Sequence, residues 1–518
     1  MDIQKIISEK AAITLAIFVA GLCSLIYELL ISTTTSYFLG DSIRQFSLTI
    51  GIYMAAMGLG SYLSKYFPEP NMAVLFIVVE ALLGIIGGSS VPLLYYWFER
   101  LSPGAYMGLM IGLTGLIGVL TGFEIPLLAR IMKKYYPLRV NLANVMSLDY
   151  FGALAATLLF PFFLLPFFGV FRTSVFFGLV NIALGVFILW YFSGHIRGKV
   201  ANWLYGFSLV SMLVFAGLLY FARPILLAWD DQSFAHRVVF SKQTPYQHLI
   251  LTKNKEEVRL YINRIIQFSS ADEYRYHEAL ALLPMQAAPY KKNILVLGGG
   301  EGLLARELLK EPAVESITIV DLDPEVFRLA RENNHIRTLN EGALDHPLVH
   351  TVAMDAAAFL RETTEYYDLI LSDLPDPSNE AVARLYSTHF FRLAQSRLTP
   401  NGVFATQASS PFHTRNAFWC IFETLKQSGF EQVLPYHTYV PSFGDWGFIM
   451  ASRLPLEVRP FHTTLSVRYL DEAVVDAMFD FPKDSDNPGG LLPNRLDQPA
   501  LLDYYLADWS KWSREKIR

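Results

Sequence analysis

Asn293-Ile-Leu-Val-Leu297-Gly298-Gly-Gly-Glu301-Gly302 is the stretch that decides the fold. A short apolar run that size reads as a buried strand, a glycine-rich turn closes it, and Leu303 to Lys310 follows in a helical pattern. The residues downstream repeat the unit. Ser316-Ile-Thr-Ile-Val320 predicts a second strand ending at Asp321, and His350-Thr-Val-Ala353 a third ending near Asp355. Asp368-Leu-Ile-Leu371 predicts a fourth ending at Asp373, and 402–406 a fifth. Strands alternating with helices imply a parallel, doubly wound sheet, whose ligands bind beyond the carboxyl ends of the strands. Four successive strands end there in an acid: Glu301 (just past its strand), Asp321, Asp355 and Asp373. One such acid is commonplace; four in register mark a crevice.

Upstream, residues 236–268 alternate as strands do: Arg237-Val-Val-Phe240, His248-Leu-Ile-Leu251 and Val258-Arg-Leu-Tyr-Ile262, with a charged turn from Lys253 to Glu257. They predict a small β-meander within 230–270. Residues 273–287 read as a helix that opens an α/β domain over 271–518.

The first 222 residues are different. A hydrocarbon core of roughly 30 Å needs about 20 apolar residues per helix, and seven segments qualify: 11–31, 46–64, 72–97, 105–129, 145–168, 172–193 and 203–222. The first is too long, and too closely followed by others, for a cleaved signal peptide. Small residues such as Gly51, Gly58, Gly60, Gly84, Gly87 and Gly88 suit close helix packing in lipid. The expectation is a multi-span helical bundle over 1–222, in the cell membrane, with the bilayer as partner. Basic residues gather before the first segment (Lys5, Lys10), between the fourth and fifth (Arg130, Lys133, Lys134, Arg139) and between the sixth and seventh (Arg197, Lys199). Such loops face the cytoplasm by the charge rule, which with seven spans puts the second half outside; the location of the substrate argued below points to the cytoplasm, and that is the expectation adopted. Glu28, Glu80, Glu124 and Asp149 lie within or at the ends of spans. Intramembrane acids are expensive and usually functional, and these suit a polyamine cation; the plainer alternative is that they sit at helix ends or pair inside the bundle.

Of the 518 residues, the first 222 carry 12 Lys and Arg against 9 Asp and Glu, and the remainder 30 against 38. An acidic second half suits a small cation better than nucleic acid, whose phosphates need a basic surface. Cys23 and Cys420 are far apart and form neither a metal spacing nor a disulfide framework, so no metal is expected.

The glycine turn with an acid about 20 residues later suits an adenosine-containing ligand. Glu301 within the turn opposes a dinucleotide phosphate and the carboxylate of S-adenosylmethionine. Decarboxylated S-adenosylmethionine keeps the sulfonium and the ammonium and loses that clash. Ser372-Asp373-Leu-Pro-Asp376-Pro377 sets two carboxylates three residues apart in a proline-held loop, which can grip a diamine. A primary amine has a pKa of about 10 and arrives protonated; a carboxylate at a strand tip can take that proton.

Residues 236–510 resemble the spermidine synthase family of aminopropyltransferases, in the form that carries an N-terminal multi-pass membrane domain. Pro245-Tyr246-Gln247 matches the family's opening Tyr-Gln pair, Asp272-Glu-Tyr-Arg-Tyr276-His277-Glu278 its helix motif, 298–302 its glycine turn, and Asp373 with Asp376 its acidic pair. Phe481-Pro-Lys-Asp484, Pro493-Asn494-Arg-Leu and Tyr504-Tyr505 resemble its close. The resemblance implies a Rossmann-like domain of the methyltransferase type, Asp373 as proton acceptor, and Asp376 and Tyr276 holding the amine. It implies Gln247, His277 and Glu301 at the aminopropyl end of the donor, Gly298 and Gly300 in the donor turn, Asp321 on the ribose, and Asp355 with Ala356 on the adenine. Tyr276 is otherwise a core residue, His277 a structural histidine and Gln247 a strand cap. Ala356 stands where the family has Gly, Asp376-Pro-Ser-Asn-Glu380 replaces Asp-Pro-x-Gly-Pro, and Val440-Pro-Ser-Phe443-Gly-Asp-Trp446-Gly-Phe448 is shorter than the family's C-terminal gate. These departures bear on the amine acceptor more than on the reaction. The expected reaction moves the 3-aminopropyl group of decarboxylated S-adenosylmethionine, a co-substrate rather than a cofactor, to putrescine or a related amine, giving spermidine and methylthioadenosine; the expected assembly is a homodimer or homotetramer. Two rivals are a methyltransferase on the same fold and a membrane polyamine transporter or sensor whose second half only binds ligand.

Overall fold

The computed structural model describes residues 3–39, 42–68, 72–98, 100–133, 135–192, 196, 198–255 and 257–515. Lys134, Arg197 and Arg518 lie outside the described residues. The chain forms two compact units, Met1–Ala235 and His236–Arg518.

The first unit is helical: α1 (Ile3–Leu39), α2 (Ser42–Leu63), α3 (Met72–Phe98), α4 (Pro103–Met132), α5 (Leu138–Leu159), α6 (Leu165–Phe192), α7 (Gly198–Tyr220) and the short α8 (Ala222–Ser233). Small residues set its packing. A Cβ on Gly60 of α2 would lie 2.1 Å from the Val119 carbonyl of α4, and one on Gly122 would lie 2.2 Å from that of Met57, so only glycine permits this crossing. Six helical stretches are long and apolar enough to cross a membrane by length and composition: Lys10–Leu39, Arg44–Tyr66, Met72–Phe98, Gly104–Met132, Arg139–Phe192 and Gly198–Tyr220. The fifth holds two helices. Gly169 breaks it with φ +68°, and Thr173 Oγ1 comes within 3.5 Å of the Leu164 carbonyl. A straight helix would separate residues nine apart by about 13 Å, so the chain turns back there. The seven apolar segments of the sequence overlap these helices, with 145–168 running from α5 into the start of α6 and the break at Gly169.

The second unit opens with the meander: β1 (Arg237–Gln243), β2 (His248–Asn254), β3 (Glu257–Ile262) and β4 (Ile265–Ser269), paired antiparallel in that order. Helix α9 (Glu273–Ala287) leads into the doubly wound part: β5 (Asn293–Gly298), α10 (Leu303–Leu308), β6 (Ser316–Asp321), α11 (Pro324–Glu332), α12 (Asn334–Leu339), β7 (Val349–Ala353), α13 (Ala356–Glu362), β8 (Tyr367–Asp373), α14 (Glu380–Ala383), α15 (Thr388–Ser396), β9 (Leu398–Gln407) and α16 (Arg415–Lys426). Strands β10 (Gln432–Val440) and β11 (Gly444–Ser452) follow, then α17 (Glu472–Ala477) and α18 (Ala500–Glu515). The sheet order is β10-β11-β9-β8-β5-β6-β7. Five strands are parallel as the alternation predicts, and β10–β11 returns as an antiparallel hairpin.

Both faces of the sheet are covered, which explains the nearly continuous apolar runs. Along β5, Ile294 and Val296 enter the core shared with α9 and α10, while Leu295 and Leu297 enter the core shared with α13 and α15. Each is fully buried, worth about 1.5–3 kcal/mol apiece. Register aligns the strand tips: Gly298 pairs with Asp373, and Asp321 with Ala353.

Candidate active site

The turn after β5 and the tip of β8 are in contact, and sequence decides how close they come. Gly298 has φ +86°, and a Cβ there would lie 2.0 Å from the Asp373 carbonyl. Glycine therefore lets Asp373 stand directly over the turn. Across from it, α9 presents Tyr276, whose hydroxyl donates to Asp373 Oδ1 at 2.5 Å. The Tyr276 ring is held edge-on by Phe443, 5.9 Å away between centroids.

The next residue on α9, His277, belongs to a buried line of alternating charge. Arg306 donates to both Glu273 oxygens, Nη2 to Oε2 at 2.9 Å and Nη1 to Oε1 at 3.0 Å, His277 Nδ1 lies 2.8 Å from Glu273 Oε2, and His277 Nε2 faces Glu301 Oε1 at 3.7 Å. Burial lowers the His277 pKa, but Glu273 and Glu301 outweigh it and raise it to about 10. Burial likewise raises that of Glu273, which His277 and Arg306 instead bring down to about 2. His277 is thus an imidazolium at neutral pH. His277, Glu301 and Asp373 offer ligand atoms within 4.8 Å of one another, close enough for a metal ion; the Nε2 proton of an imidazolium fills the lone pair a metal would take.

Asp376 is set from several directions. Tyr505 of α18 donates to Oδ2 at 3.0 Å, Ser409 to the same oxygen at 3.1 Å, and Gln407 Nε2 reaches Oδ1 at 3.5 Å. Gln407 also donates to the Tyr386 hydroxyl at 2.6 Å and the Leu374 carbonyl at 2.7 Å, fixing the proline loop. Burial raises both acids: Asp376 to about 6 against its three donors, and Asp373 to about 6 with the Glu301 charge adding and His277 and Tyr276 pulling back.

Asp321 ends β6, where Oδ2 accepts the Gly300 amide at 3.2 Å and Oδ1 the Asp323 amide at 3.0 Å. Burial foremost, opposed by those amides and helped by Glu301, raises it to about 7. A Cβ on Gly300 would lie 2.7 Å from Asp321 Oδ2. Asp355 caps α13 through Ala358 N at 2.9 Å, its other oxygen is paired with Arg384, and Ala356 is buried as the first residue of that helix. The turn bearing Gln247 is pinned to this edge, since Thr244 Oγ1 donates to Asp323 Oδ2 at 2.7 Å.

A cleft of about 490 Å³ of empty space is lined by Ile265, Ile266, Gln267, Tyr276, His277, Glu301, Asp373, Leu374, Pro375, Asp376, Gln407, Phe443 and Trp446. Five sequence-predicted residues (Tyr276, His277, Glu301, Asp373 and Asp376) come together in it. Gly298, Gly300, Asp321, Asp355 and Ala356 lie along the neighbouring strand tips, and Gln247 is not among the cleft's lining residues. Sequence reasoning missed Gln267, Gln407, Ser409 and the Arg306–Glu273 pair. Glu273 stood inside the quoted helix motif and carried a signal; Gln407, between Thr406 and Ala408 at the end of β9, carried none.

Residues 273–458 match the Spermine/spermidine synthase domain. The chain is 40% identical to Polyamine aminopropyltransferase 2 of Ralstonia nicotianae over 96% of its own length and 98% of the relative's. It is 38% identical to the Polyamine aminopropyltransferase of Leptospira interrogans, covering 97% and 99%, and 36% identical to that of Mycobacterium tuberculosis, covering 96% and 97%. Among solved structures, spermidine synthase from Thermotoga maritima aligns at 25% identity and TM-score 0.43, over 47% of this chain and 84% of that one. A spermidine synthase in complex with the transition-state analogue AdoDATO aligns at 25% identity and TM-score 0.45, over 47% and 85%. The full-length match, helical first unit included, and the matched synthase domain place the chain in the polyamine aminopropyltransferase family, as an enzyme of aminopropyl transfer.

Proposed function

We propose that this enzyme transfers the 3-aminopropyl group of decarboxylated S-adenosylmethionine to putrescine or a closely related diamine. The observation that carries the reading is the half-buried Asp373 carboxylate, bonded to Tyr276 and flanked by Glu301 and Asp376. The amine arrives as an ammonium and gives its proton to Asp373. Its freed lone pair attacks the propyl carbon on sulfur, the carbon–sulfur bond breaks, and the electron pair returns to sulfur as neutral methylthioadenosine. Asp376, immobilised by Tyr505, Ser409 and Gln407, holds the amine with Tyr276, so attack begins from an aligned geometry. Glu301, steadied by the His277 imidazolium, receives the donor's ammonium and repels the carboxylate of intact S-adenosylmethionine. Asp321 takes the ribose hydroxyls, with Gly298 and Gly300 giving them room, and Asp355 with Ala356 borders the adenine.

The first unit is read as a multi-pass membrane domain. Its long helices support this, and so do large apolar side chains left exposed on them, such as Phe162 at 75%, Phe167 at 70% and Trp203 at 65%. The deciding experiment supplies purified chain with either donor and a panel of diamines, and identifies products by mass spectrometry. Spermidine with methylthioadenosine from the decarboxylated donor is expected; methylated amine from S-adenosylmethionine would overturn the reading.

A further inference from the structure

Among the described residues, no base acts on the acids that the first unit buries. Glu80 of α3 is fully buried and Glu124 of α4 is 2% exposed, and their carboxyl groups lie within hydrogen-bonding distance of each other. A single shared proton can join the two carboxyl groups, and their remaining oxygens then need donors elsewhere. Among the described residues, neither oxygen of Glu80 nor Oε1 of Glu124 finds one elsewhere. Asp149 of α5 is within electrostatic reach of Glu124, at a crossing with α1 so tight that a Cβ on Gly21 would lie 2.7 Å from Asp149 Oδ1. Tyr53 of α2 is within reach of both Glu124 and Glu28.

Two buried groups that are not acids stand on the helices that pack beside these acids. The Tyr27 hydroxyl of α1 is buried without a partner among the described residues and feels both Glu80 and Glu124. Its ring is seated on Gly87, where a Cβ would lie 2.6 Å from Cζ. Asn181 of α6 is also buried, with neither Oδ1 nor Nδ2 partnered among the described residues. It stands one turn from Gly185, whose Cβ position is 3.5 Å from that of Glu80. Buried polar groups without partners cost stability, and a ligand that supplies N–H donors and positive charge would satisfy all of them.

The spacing selects the ligand. A hard metal ion gathers many oxygens on one point, yet among the described residues these acids form no set of three ligand atoms close enough for one ion. They are spread over four helices, which suits a cation whose charges are separated by methylene chains, with Tyr27 and Tyr53 rings beside the chain. We propose that the helical unit binds a polyamine between these helices. One ammonium sits between Glu80 and Glu124 with the Tyr27 hydroxyl and Asn181 amide oxygen accepting, and the next lies toward Asp149 or Glu28. The ligand class rests on the aminopropyl-transfer reading above.

The test measures binding of radiolabelled spermidine to the full chain in detergent, with AdoDATO blocking the catalytic site. One saturable site is expected to remain. It should weaken by about tenfold or more in Glu80→Gln/Glu124→Gln, through loss of charge-assisted bonds, while aminopropyl transfer by that variant persists. Tyr27→Phe, which removes one hydroxyl, should weaken it several-fold and decides the matter if the double variant is not monodisperse. No residual site in the parent chain, residual binding unchanged by these variants, or displacement by sodium chloride as effective as by unlabelled spermidine would each overturn the proposal. A parent chain that binds spermidine at this site yet makes no aminopropyl product would strike the reaction and leave the site standing.

Discussion

Asp373→Asn keeps the shape of the strand tip and the bond from Tyr276 but cannot accept the amine proton. Turnover should fall by about 10²–10⁴-fold with the thermal unfolding temperature little changed; near-normal methylthioadenosine release from the folded variant would remove Asp373 from the role. Because burial sets this acid to about 6 and the base works ionised, kcat/KM should fall as pH drops through about 6. The Tyr276 bond lowers that pKa, so Tyr276→Phe should raise it and move the acid limb to higher pH, with a larger loss at pH 6 than at pH 8. A limb that stays in place would show that Tyr276 does not act on the base. Glu301→Gln should weaken the decarboxylated donor and narrow the preference over S-adenosylmethionine, measured by calorimetry with each donor; unchanged affinities for both would place Glu301 outside the donor site. At this scale the sequence was legible where a residue sits at a strand tip, as Asp321 and Asp373 do, because a parallel sheet brings tips together. It was silent on Gln407, Ser409 and Arg306, whose partners are set by packing of distant elements.

The contact between β5 and β8 explains why the glycine turn admits no substitute at its first position. Gly298→Ala meets the Asp373 carbonyl at 2.0 Å and must also hold φ +86°. Strain of this kind costs about 1–3 kcal/mol, and overlap with main chain adds to it. A lower unfolding temperature together with lost turnover is expected, and a variant as stable as the parent would mean the turn can shift away from β8. Elements with strong local signals were readable: the five parallel strands from apolar runs, and the meander from alternation. The β10–β11 hairpin was not. Pro435 lies within β10, and a proline inside an apolar run argues against a strand unless the strand is at an edge. β10 is the edge strand, a fact that only the sheet order supplies.

For the whole molecule, the apolar segments were legible because so long an apolar helix is stable in few settings besides a bilayer, whereas the side each loop faces is not written in any contact. Among the described residues six helical stretches are long and apolar enough to cross, and dividing Arg139–Phe192 at the Gly169 break would give seven segments. With seven crossings and the loops around Arg130, Lys133, Arg139 and Lys199 inside, the catalytic unit would face outward. The donor argues the opposite. A sulfonium nucleoside carries a fixed charge that desolvation keeps out of hydrocarbon, so an enzyme facing outward would depend on exported donor. The charge rule is a bias counted in about 1 kcal/mol steps per basic residue near the surface, and a helix that dips without crossing also changes the parity. We therefore expect a cytoplasmic catalytic unit, tested with two topology reporters, one fused after Arg518 and one placed beside Lys133. Fluorescence of a cytoplasm-only reporter after Arg518 is the expected result. The reporter beside Lys133 then separates the two causes: outside if all seven helices cross and the charge rule is overridden, inside if one helix after α4 does not cross. Activity after Arg518 of a reporter that works only outside the cytoplasm would refute the assignment and require a route that delivers the donor across the membrane.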